Sequence, residues 1–161
     1  MPIRKVIKSD IPAIQHIAQV TWKATYGSII SREQFEYMIQ LIYSTEALEK
    51  QMDGGHHFYL LTEHEEALGF IDVEKINDTK TKLHKIYLLP GHQGKNYGKL
   101  LINFTIEKAK ENNSSILQLN VNRYNKARQF YEKQGFVVKY EDDIDIGNGY
   151  FMNDYIMERS L

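Results

Sequence analysis

The 161-residue sequence contains no cysteine and only three prolines. Without cysteine the chain can form no disulfide bond, no thiolate nucleophile and no cysteine-based zinc site. Residues 1–5 lack the apolar core of a signal peptide, and no uninterrupted apolar stretch approaches the length of a membrane span. We therefore expect a cytoplasmic protein with no membrane segment.

The sequence also lacks an excess of charge of either sign. Its 20 lysines and arginines stand against 21 aspartates and glutamates, which gives a formal net charge of −1. A protein that wraps DNA or RNA needs a clustered basic surface, so we expect no nucleic-acid partner. Hydrophobic residues make up 42% of the chain, as is ordinary for a globular protein. Because no repeat or linker-like segment interrupts the sequence, we expect residues 1–161 to form a single domain.

Apolar periodicity and turn residues predict an alternation of helices and strands. The predicted elements are a short strand over 3–7, helices from about 11 and from about 32, a short helix over 45–52, strands over 57–62, 68–75 and 83–89, a helix over 97–112, a strand over 117–121, a helix over 127–134, and strands over 136–140 and 150–157. This order predicts an α/β (α+β) fold, with a mixed sheet of six to seven strands and helices on both of its faces.

The most informative segment is the predicted strand that ends at Pro90-Gly91 and leads into the helix at 97. The first turn of a helix presents unpaired backbone N–H groups and the positive end of the helix dipole. Gly94 and Gly98 allow a phosphate to approach this backbone closely. The segment therefore predicts an anion site, although an ordinary strand–helix turn with solvent-facing lysines is the alternative. The spacing matches neither the dinucleotide fingerprint nor the P-loop.

Residues 85–101 resemble the acetyl-CoA-binding motif of the GNAT superfamily, an apolar strand ending in proline followed by [QR]-x-x-G-x-[GA] at a helix start. Gln93 and Gly98 match this motif, whereas Asn96 replaces its central glycine. Asn is the residue other than glycine that best tolerates left-handed backbone geometry. The cofactor contacts that the resemblance implies in this segment are Ile86, Tyr87, Leu88, Gln93, Gly94, Lys95, Asn96, Tyr97, Gly98 and Lys99.

A second segment, residues 125–136, resembles the N-x-x-A-x-x-F-Y-x-x-x-G-F pattern of the same family. The residues in register are Ala127, Phe130, Tyr131, Gly135 and Phe136. The asparagine of the pattern coincides with Tyr124, and Asn125 lies one position later, so either residue could contact the cofactor. Together the two segments identify the chain as a member of the GNAT superfamily, which implies an acetyl-CoA-dependent N-acetyltransferase.

The resemblance implies direct attack of a neutral amine on the acetyl thioester, without a covalent enzyme intermediate. A backbone N–H near Leu88, on a strand splayed from its neighbour, would polarise the thioester carbonyl. Tyr131 occupies the position of the family's general acid, which protonates the departing CoA thiolate. The alternative is that Tyr131 is a core residue with a satisfied hydroxyl group.

An alkylammonium ion with a pKa of about 10 must lose a proton before it can attack. Many relatives place a glutamate at the position of Lys82, and a lysine cannot serve as a carboxylate base. His84 lies on the same predicted strand face and is the candidate general base. A packed or exposed histidine is the alternative, and Asp72 and Glu74 are fallback bases.

We expect the early helices and the last strands to form the acceptor pocket. Trp22 and Tyr26 lie four residues apart on one helix face, and with Tyr150 they are the candidate substrate-binding residues. Core packing is the alternative for the first two. We expect no metal site, because adjacent His56 and His57 point to opposite faces of a strand and no third ligand is near in sequence.

Three functions remain open at this point. The first is an N-acetyltransferase acting on a small-molecule amine, polyamines included. The second is an enzyme that acetylates a protein N-terminus or lysine, and the third is a catalytically silent acyl-CoA-binding module. Family analogy also suggests a homodimer.

Overall fold

A computed structural model describes residues 2–92 and 94–161. The predicted cofactor contact at Gln93 therefore lies outside the described residues. The elements are β1 (Ile3–Lys5), a 3₁₀ turn (Lys8–Asp10), α1 (Ile11–Tyr26), α2 (Arg32–Tyr43), α3 (Thr45–Asp53), β2 (His57–Glu63), β3 (Glu66–Lys75), β4 (Lys80–Leu88), α4 (Tyr97–Glu111), β5 (Ile116–Asn122), α5 (Ala127–Lys133), β6 (Val137–Gly147) and β7 (Tyr150–Ser160). Their order agrees with the order predicted from the sequence.

The strands form one seven-stranded sheet in the order β1-β2-β3-β4-β5-β7-β6. β4 and β5 run parallel, and every other neighbouring pair runs antiparallel, so the prediction of a mixed sheet is confirmed. The parallel pairing joins only residues 80–83 of β4 to residues 116–119 of β5. Beyond Leu83 the two strands separate, and a wedge-shaped gap opens at the end of β4.

Helices cover both faces of this sheet, as the sequence predicts. The apolar stripe of α1 packs with α2 and α3 on the face that carries Phe58, Leu60 and Phe70. The alternate residues of the same strands, such as Leu61 and Ile71, face α4 and α5. This alternation buries both faces of the central strands and holds the gap between β4 and β5 at the centre of the molecule.

Local sequence signals account for several element ends. The N–H of Gln34 donates to the hydroxyl of Ser31 at 3.1 Å, which caps the start of α2. Gly135 follows α5 with φ of 91°, the left-handed geometry expected there. In the described part of the chain, no helix combines the length and apolarity that crossing a membrane requires.

The strand predicted over 136–140 is wrong in its bounds, because β6 extends over Val137–Gly147. The acidic run at 141–145 shows no apolar alternation, so side-chain pattern could not predict a strand there. Within the described residues, β6 is an edge strand paired with β7, and main-chain hydrogen bonds extend it to the turn at Asn148. A tight turn joins β6 to β7, with left-handed φ values at residues 147–149.

Candidate active site

The segment between β4 and α4 has the backbone geometry of an anion-binding turn. Gly91 and Gly94 have φ values of 90° and 87°, and Asn96 has φ of 62°. A Cβ atom placed on Gly94 would meet no protein atom within 4 Å, so this part of the turn faces open space. The Asn96 side chain does not cap α4. The amides of the first turn therefore remain available to a bound anion.

Gly98 and Tyr97 connect the start of α4 to its neighbours. A Cβ atom on Gly98 would lie 3.3 Å from Cζ of Phe130, so the absence of a side chain allows α4 to pack closely on α5. A hydrogen bond to Glu63 raises the pKa of Tyr97, and its ring is therefore directed toward the end of β2. Lys95 and Lys99 are exposed on the surface beside the turn.

A cavity of about 280 Å³, here called the splay cavity, fills the gap between β4 and β5. The predicted site residues that line it are Tyr26, His84, Ile86, Tyr87, Leu88, Asn125 and Tyr131. Of the two candidates for the family asparagine, Asn125 lies at this cavity, whereas Tyr124 is 67% exposed. The side-chain oxygen of Asn125 also accepts a hydrogen bond from the N–H of Ala127 at the start of α5.

Two backbone amides of β4 point into the splay cavity. The N–H of Leu89 donates to the carbonyl of Leu68 at 2.8 Å, so it faces β3. Successive amides of a strand point to opposite edges, so the N–H groups of Leu88 and Ile86 face the side on which β5 has moved away. They are placed to donate to an oxygen atom in the cavity.

Tyr131 projects from α5 into the same cavity and is 9% exposed. Its ring packs edge-on against Phe130 and Phe136, with centroids 5.5 Å and 6.1 Å away. Burial raises the pKa of Tyr131 well above its usual range, so the phenol stays protonated at neutral pH. Tyr131 is therefore a packing residue that presents a protonated hydroxyl group at the cavity wall.

His84, on β4, also lines the splay cavity and is held by a polar network. Its Nε2 atom is 2.8 Å from Oε1 of Glu74, and its ring stacks on His56 with a centroid distance of 4.4 Å. Burial is the main cause that lowers the pKa of His84, so its imidazole is neutral at neutral pH. Asp72 lies next in this network, with Oδ2 accepting from Lys85 Nζ at 2.6 Å.

A second cavity of about 230 Å³, here called the aromatic cavity, lies beneath α1 and adjoins the first at His84, Tyr26 and Tyr87. Trp22 and Tyr26 form part of its wall, with ring centroids 5.0 Å apart. Trp22 and Tyr26 are also buried in the core. The two side chains therefore both pack in the core and form part of the cavity wall, so the two interpretations from the sequence are compatible.

Buried polar atoms without a partner cluster around the aromatic cavity. Among the described residues, four residues lining it each carry such an atom: Trp22 Nε1, Tyr43 Oη, Asn120 Oδ1 and Asp154 Oδ1. Burial raises the pKa of Asp154 and lowers the pKa of Lys82, which faces it across the cavity. A buried polar atom without a partner is costly, so this arrangement fits a polar occupant.

The sequence did not predict Asp154, Asn120 or Tyr43. The polar pair at 153–154 within the otherwise apolar start of β7 was the available signal. Tyr150, predicted to bind substrate, lies outside the set that lines the aromatic cavity and packs on Tyr37 with centroids 5.4 Å apart. It begins β7 at the hairpin end, four residues or roughly 13 Å along the strand from Asp154.

The sequence is similar to those of known acetyltransferases. A family model described as "Acetyltransferase (GNAT) domain" matches residues 28–158. Spermidine N(1)-acetyltransferase of Thermoplasma acidophilum is 30% identical over 163 residues, which cover 98% of this chain and 95% of that protein. Ribosomal protein bS18-alanine N-acetyltransferase of Haemophilus influenzae is 36% identical over 91 residues, 56% of this chain and 58% of that protein.

Solved structures agree with these relatives. The crystal structure of PaiA N-acetyltransferase from Thermoplasma acidophilum in complex with coenzyme A matches with a TM-score of 0.83 at 30% identity, covering 99% of this chain and 98% of that one. A GCN5-related N-acetyltransferase from Rhodopseudomonas palustris matches with a TM-score of 0.84 at 20% identity, covering 99% and 94%. The second match supports the fold alone.

Proposed function

The chain belongs to the GNAT family of acetyltransferases and uses acetyl-CoA as its acetyl donor, and on that premise we propose that it acetylates a primary amine of a small, positively charged molecule. The observation that carries the acceptor class is the aromatic cavity, with four unpartnered polar atoms around a volume of about 230 Å³. A cavity of this size suits a small molecule better than the long groove that a polypeptide needs.

The start of α4 would hold the pyrophosphate of the cofactor. Left-handed geometry at Gly94 and Asn96 exposes the amides of the first helical turn, and the helix dipole favours an anion there. Lys95 and Lys99 would add positive charge near the phosphates. The pantetheine arm would then run along β4 into the splay cavity, so that the acetyl group reaches the N–H groups of Ile86 and Leu88.

The amine would attack the thioester carbonyl directly. A C–N bond forms as negative charge grows on the carbonyl oxygen, where the β4 amides donate hydrogen bonds. The C–S bond then breaks, and the sulfur leaves as a thiolate that needs a proton. Tyr131 would supply it, because burial keeps its hydroxyl protonated and its side chain lines the splay cavity. The proton that the attacking nitrogen releases as the amide forms would restore the hydroxyl of Tyr131.

His84 would take the proton from the acceptor ammonium. Glu74 can only accept a hydrogen bond, so its contact with Nε2 of His84 fixes the proton of the neutral ring on that nitrogen. Nδ1 then carries the lone pair that can accept a proton. Asp72 is a weaker candidate base, since its oxygen Oδ2 is already bound to Lys85 and His56.

Asp154 would recognise the positive charge of the acceptor. Its Oδ1 atom is buried without a hydrogen-bond partner, and Trp22 and Tyr26 offer aromatic faces in the same cavity. The relative from Thermoplasma acidophilum is named for spermidine, which carries several ammonium groups. We therefore expect amines with a second positive charge to be better acceptors than neutral monoamines.

The test is release of free CoA thiol from acetyl-CoA with spermidine, a diamine, a neutral monoamine and a peptide with a free N-terminus. We expect turnover with the first two and a lower kcat/KM with the others. Asp154→Asn should lower kcat/KM for spermidine by about 10- to 100-fold, the cost of a charged hydrogen bond. Glu33→Gln, at the start of α2, is a matched control for charge loss.

Two outcomes would contradict the proposal. Turnover of the peptide with none of spermidine would instead favour a protein acetyltransferase. CoA binding without turnover of any amine would favour a catalytically silent module.

A further inference from the structure

Three metal-ligating side chains converge beside the splay cavity from parts of the chain that are distant in sequence. They are His56 immediately before β2, Glu74 on β3 and His84 on β4. One ligand atom from each lies within 4.8 Å of the others. Oε1 of Glu74 is 2.8 Å from Nε2 of His84 and 3.5 Å from Nε2 of His56. The three donor atoms therefore lie close enough together to bind one ion.

A buried carboxylate fixes the orientation of His56. Nδ1 of His56 is 2.7 Å from Oδ2 of Asp72, which can only accept a hydrogen bond, so the proton lies on Nδ1. Nε2 is then the nitrogen available to a cation. Histidine ligands of metals commonly donate their second ring N–H to a carboxylate in this way, and the contact raises the basicity of the ligating nitrogen.

The surrounding charges leave room for a cation. Lys85 neutralises the charge of Asp72, with its Nζ atom 2.6 Å from Oδ2. The negative charge of Glu74 therefore remains to attract a cation bound between the three ligands. Lys82 is close enough to Glu74 and His84 to oppose a cation electrostatically, so we expect moderate affinity. The side chains of His56, Glu74 and His84 are 18%, 25% and 22% exposed, so an ion can enter and keep a water ligand.

We propose that His56, Glu74 and His84 form a binding site for Zn²⁺. Two imidazoles and one carboxylate, with a fourth position left to water, are a donor set that Zn²⁺ accepts in tetrahedral geometry. This inference departs from the sequence-based expectation of no metal site. That expectation rested on the His56-His57 pair, whereas His57 contacts Lys5 and takes no part in the cluster.

Zn²⁺ at this site would also inhibit acetyl transfer, a consequence that rests on the proposed function. A neutral imidazole has one proton and one lone pair, so a metal on Nε2 of His84 leaves the proton on Nδ1. The ring then has no lone pair to accept a proton from the amine. Occupation of the site would switch off the proposed base without displacing acetyl-CoA.

The first experiment measures Zn²⁺ binding alone, by calorimetry on chelator-treated protein without an affinity tag. We expect one Zn²⁺ per chain with Kd of about 10 µM or below. His56→Gln and Glu74→Gln should weaken binding at least ten-fold, as predicted for loss of a ligand. His56→Gln keeps a hydrogen-bond donor beside Asp72, and thermal unfolding checks that each variant is folded.

His57→Ala is the matched control, since it removes the adjacent histidine from the other face of the strand and should bind Zn²⁺ like the wild type. Absence of binding to the wild type at about 100 µM Zn²⁺, or equal losses in His57→Ala and His56→Gln, would overturn the site. Neither binding measurement needs an active enzyme. Failure of the zinc site can therefore be told apart from failure of the proposed function.

The second experiment follows the acetylated amine by mass spectrometry after a chelator quench, which avoids reaction of Zn²⁺ with the CoA thiol. We expect activity to fall with the same midpoint as Zn²⁺ binding in the wild type and in His57→Ala. The residual activity of His56→Gln should resist Zn²⁺ at that concentration. Full wild-type activity with the site saturated would overturn the inhibitory role.

Discussion

Removal of the Tyr131 hydroxyl separates its role in proton transfer from its role in packing. The substitution Tyr131→Phe keeps the ring, and with it the contacts to Phe130 and Phe136. Burial alone accounts for the raised pKa of Tyr131, so we expect no lost hydrogen bond and a change in the free energy of unfolding within about 0.5 kcal/mol. We therefore expect Tyr131→Phe to fold normally and to carry out the chemical step much more slowly.

General acid catalysis contributes about 10²- to 10⁴-fold in rate, which corresponds to about 3–5 kcal/mol of barrier. We expect kcat for thiol release to fall by about that factor. The KM for acetyl-CoA should change by less than about three-fold, because the proposed pyrophosphate contacts lie at the start of α4. The measurement is steady-state release of CoA thiol at saturating amine, together with calorimetry of CoA binding.

Tyr59→Phe provides the control, because Tyr59 is a partly buried tyrosine that packs on Phe104 away from both cavities. It should retain wild-type turnover. Wild-type kcat in Tyr131→Phe would refute the assignment of Tyr131 as the acid, and a large loss of CoA affinity would show a structural role instead.

Three further predictions concern the turn, the N-terminus and the central sheet. Asn96→Val places a β-branched residue at φ of 62°, at a cost of about 1–2 kcal/mol, and should weaken CoA binding about ten-fold by calorimetry. Asn96→Gly should bind CoA normally. Equal affinities of the two variants for CoA would contradict this prediction. The Arg4 guanidinium lowers the pKa of Asp10, so the stabilisation from this carboxylate is present above about pH 4 and is lost as pH falls through its lower folded pKa. Asp10→Ala should therefore cost about 1 kcal/mol at pH 7 in urea unfolding, and this cost should shrink as pH falls through the folded-state pKa of Asp10; a gap that stays constant in acid would be inconsistent. Gly69→Ala would put Cβ 2.6 Å from the Tyr87 carbonyl oxygen and should destabilise the protein by about 1–3 kcal/mol; an unchanged urea midpoint would argue against the packing described.

The sequence predicted the features that depend on neighbouring residues along the chain. Helix periodicity, the Ser31 cap and the glycines of turns are local signals, and they gave the element order correctly. The position of Tyr131 at the splay cavity followed from the family pattern. The single domain, the cytoplasmic location and the homodimer stay predictions.

The features that the sequence did not predict depend on strand register. Nothing in the local pattern states that Glu74 lies beside His84, because that contact depends on how β3 pairs with β4. The length of β6 has the same origin, since pairing with β7 rather than an apolar face maintains it. Asp154 reaches the aromatic cavity only because β7 lies next to β5.

Calorimetry with CoA and its fragments tests the central claim that amides at the start of α4 hold the pyrophosphate. CoA should bind one per chain, and dephospho-CoA, which keeps the pyrophosphate, should bind within about ten-fold of it. Pantetheine, which keeps the thiol but has no phosphate, should bind at least about 100-fold more weakly, a difference of about 2.7 kcal/mol. Equal affinity for pantetheine and CoA, or no binding of CoA, would contradict this account.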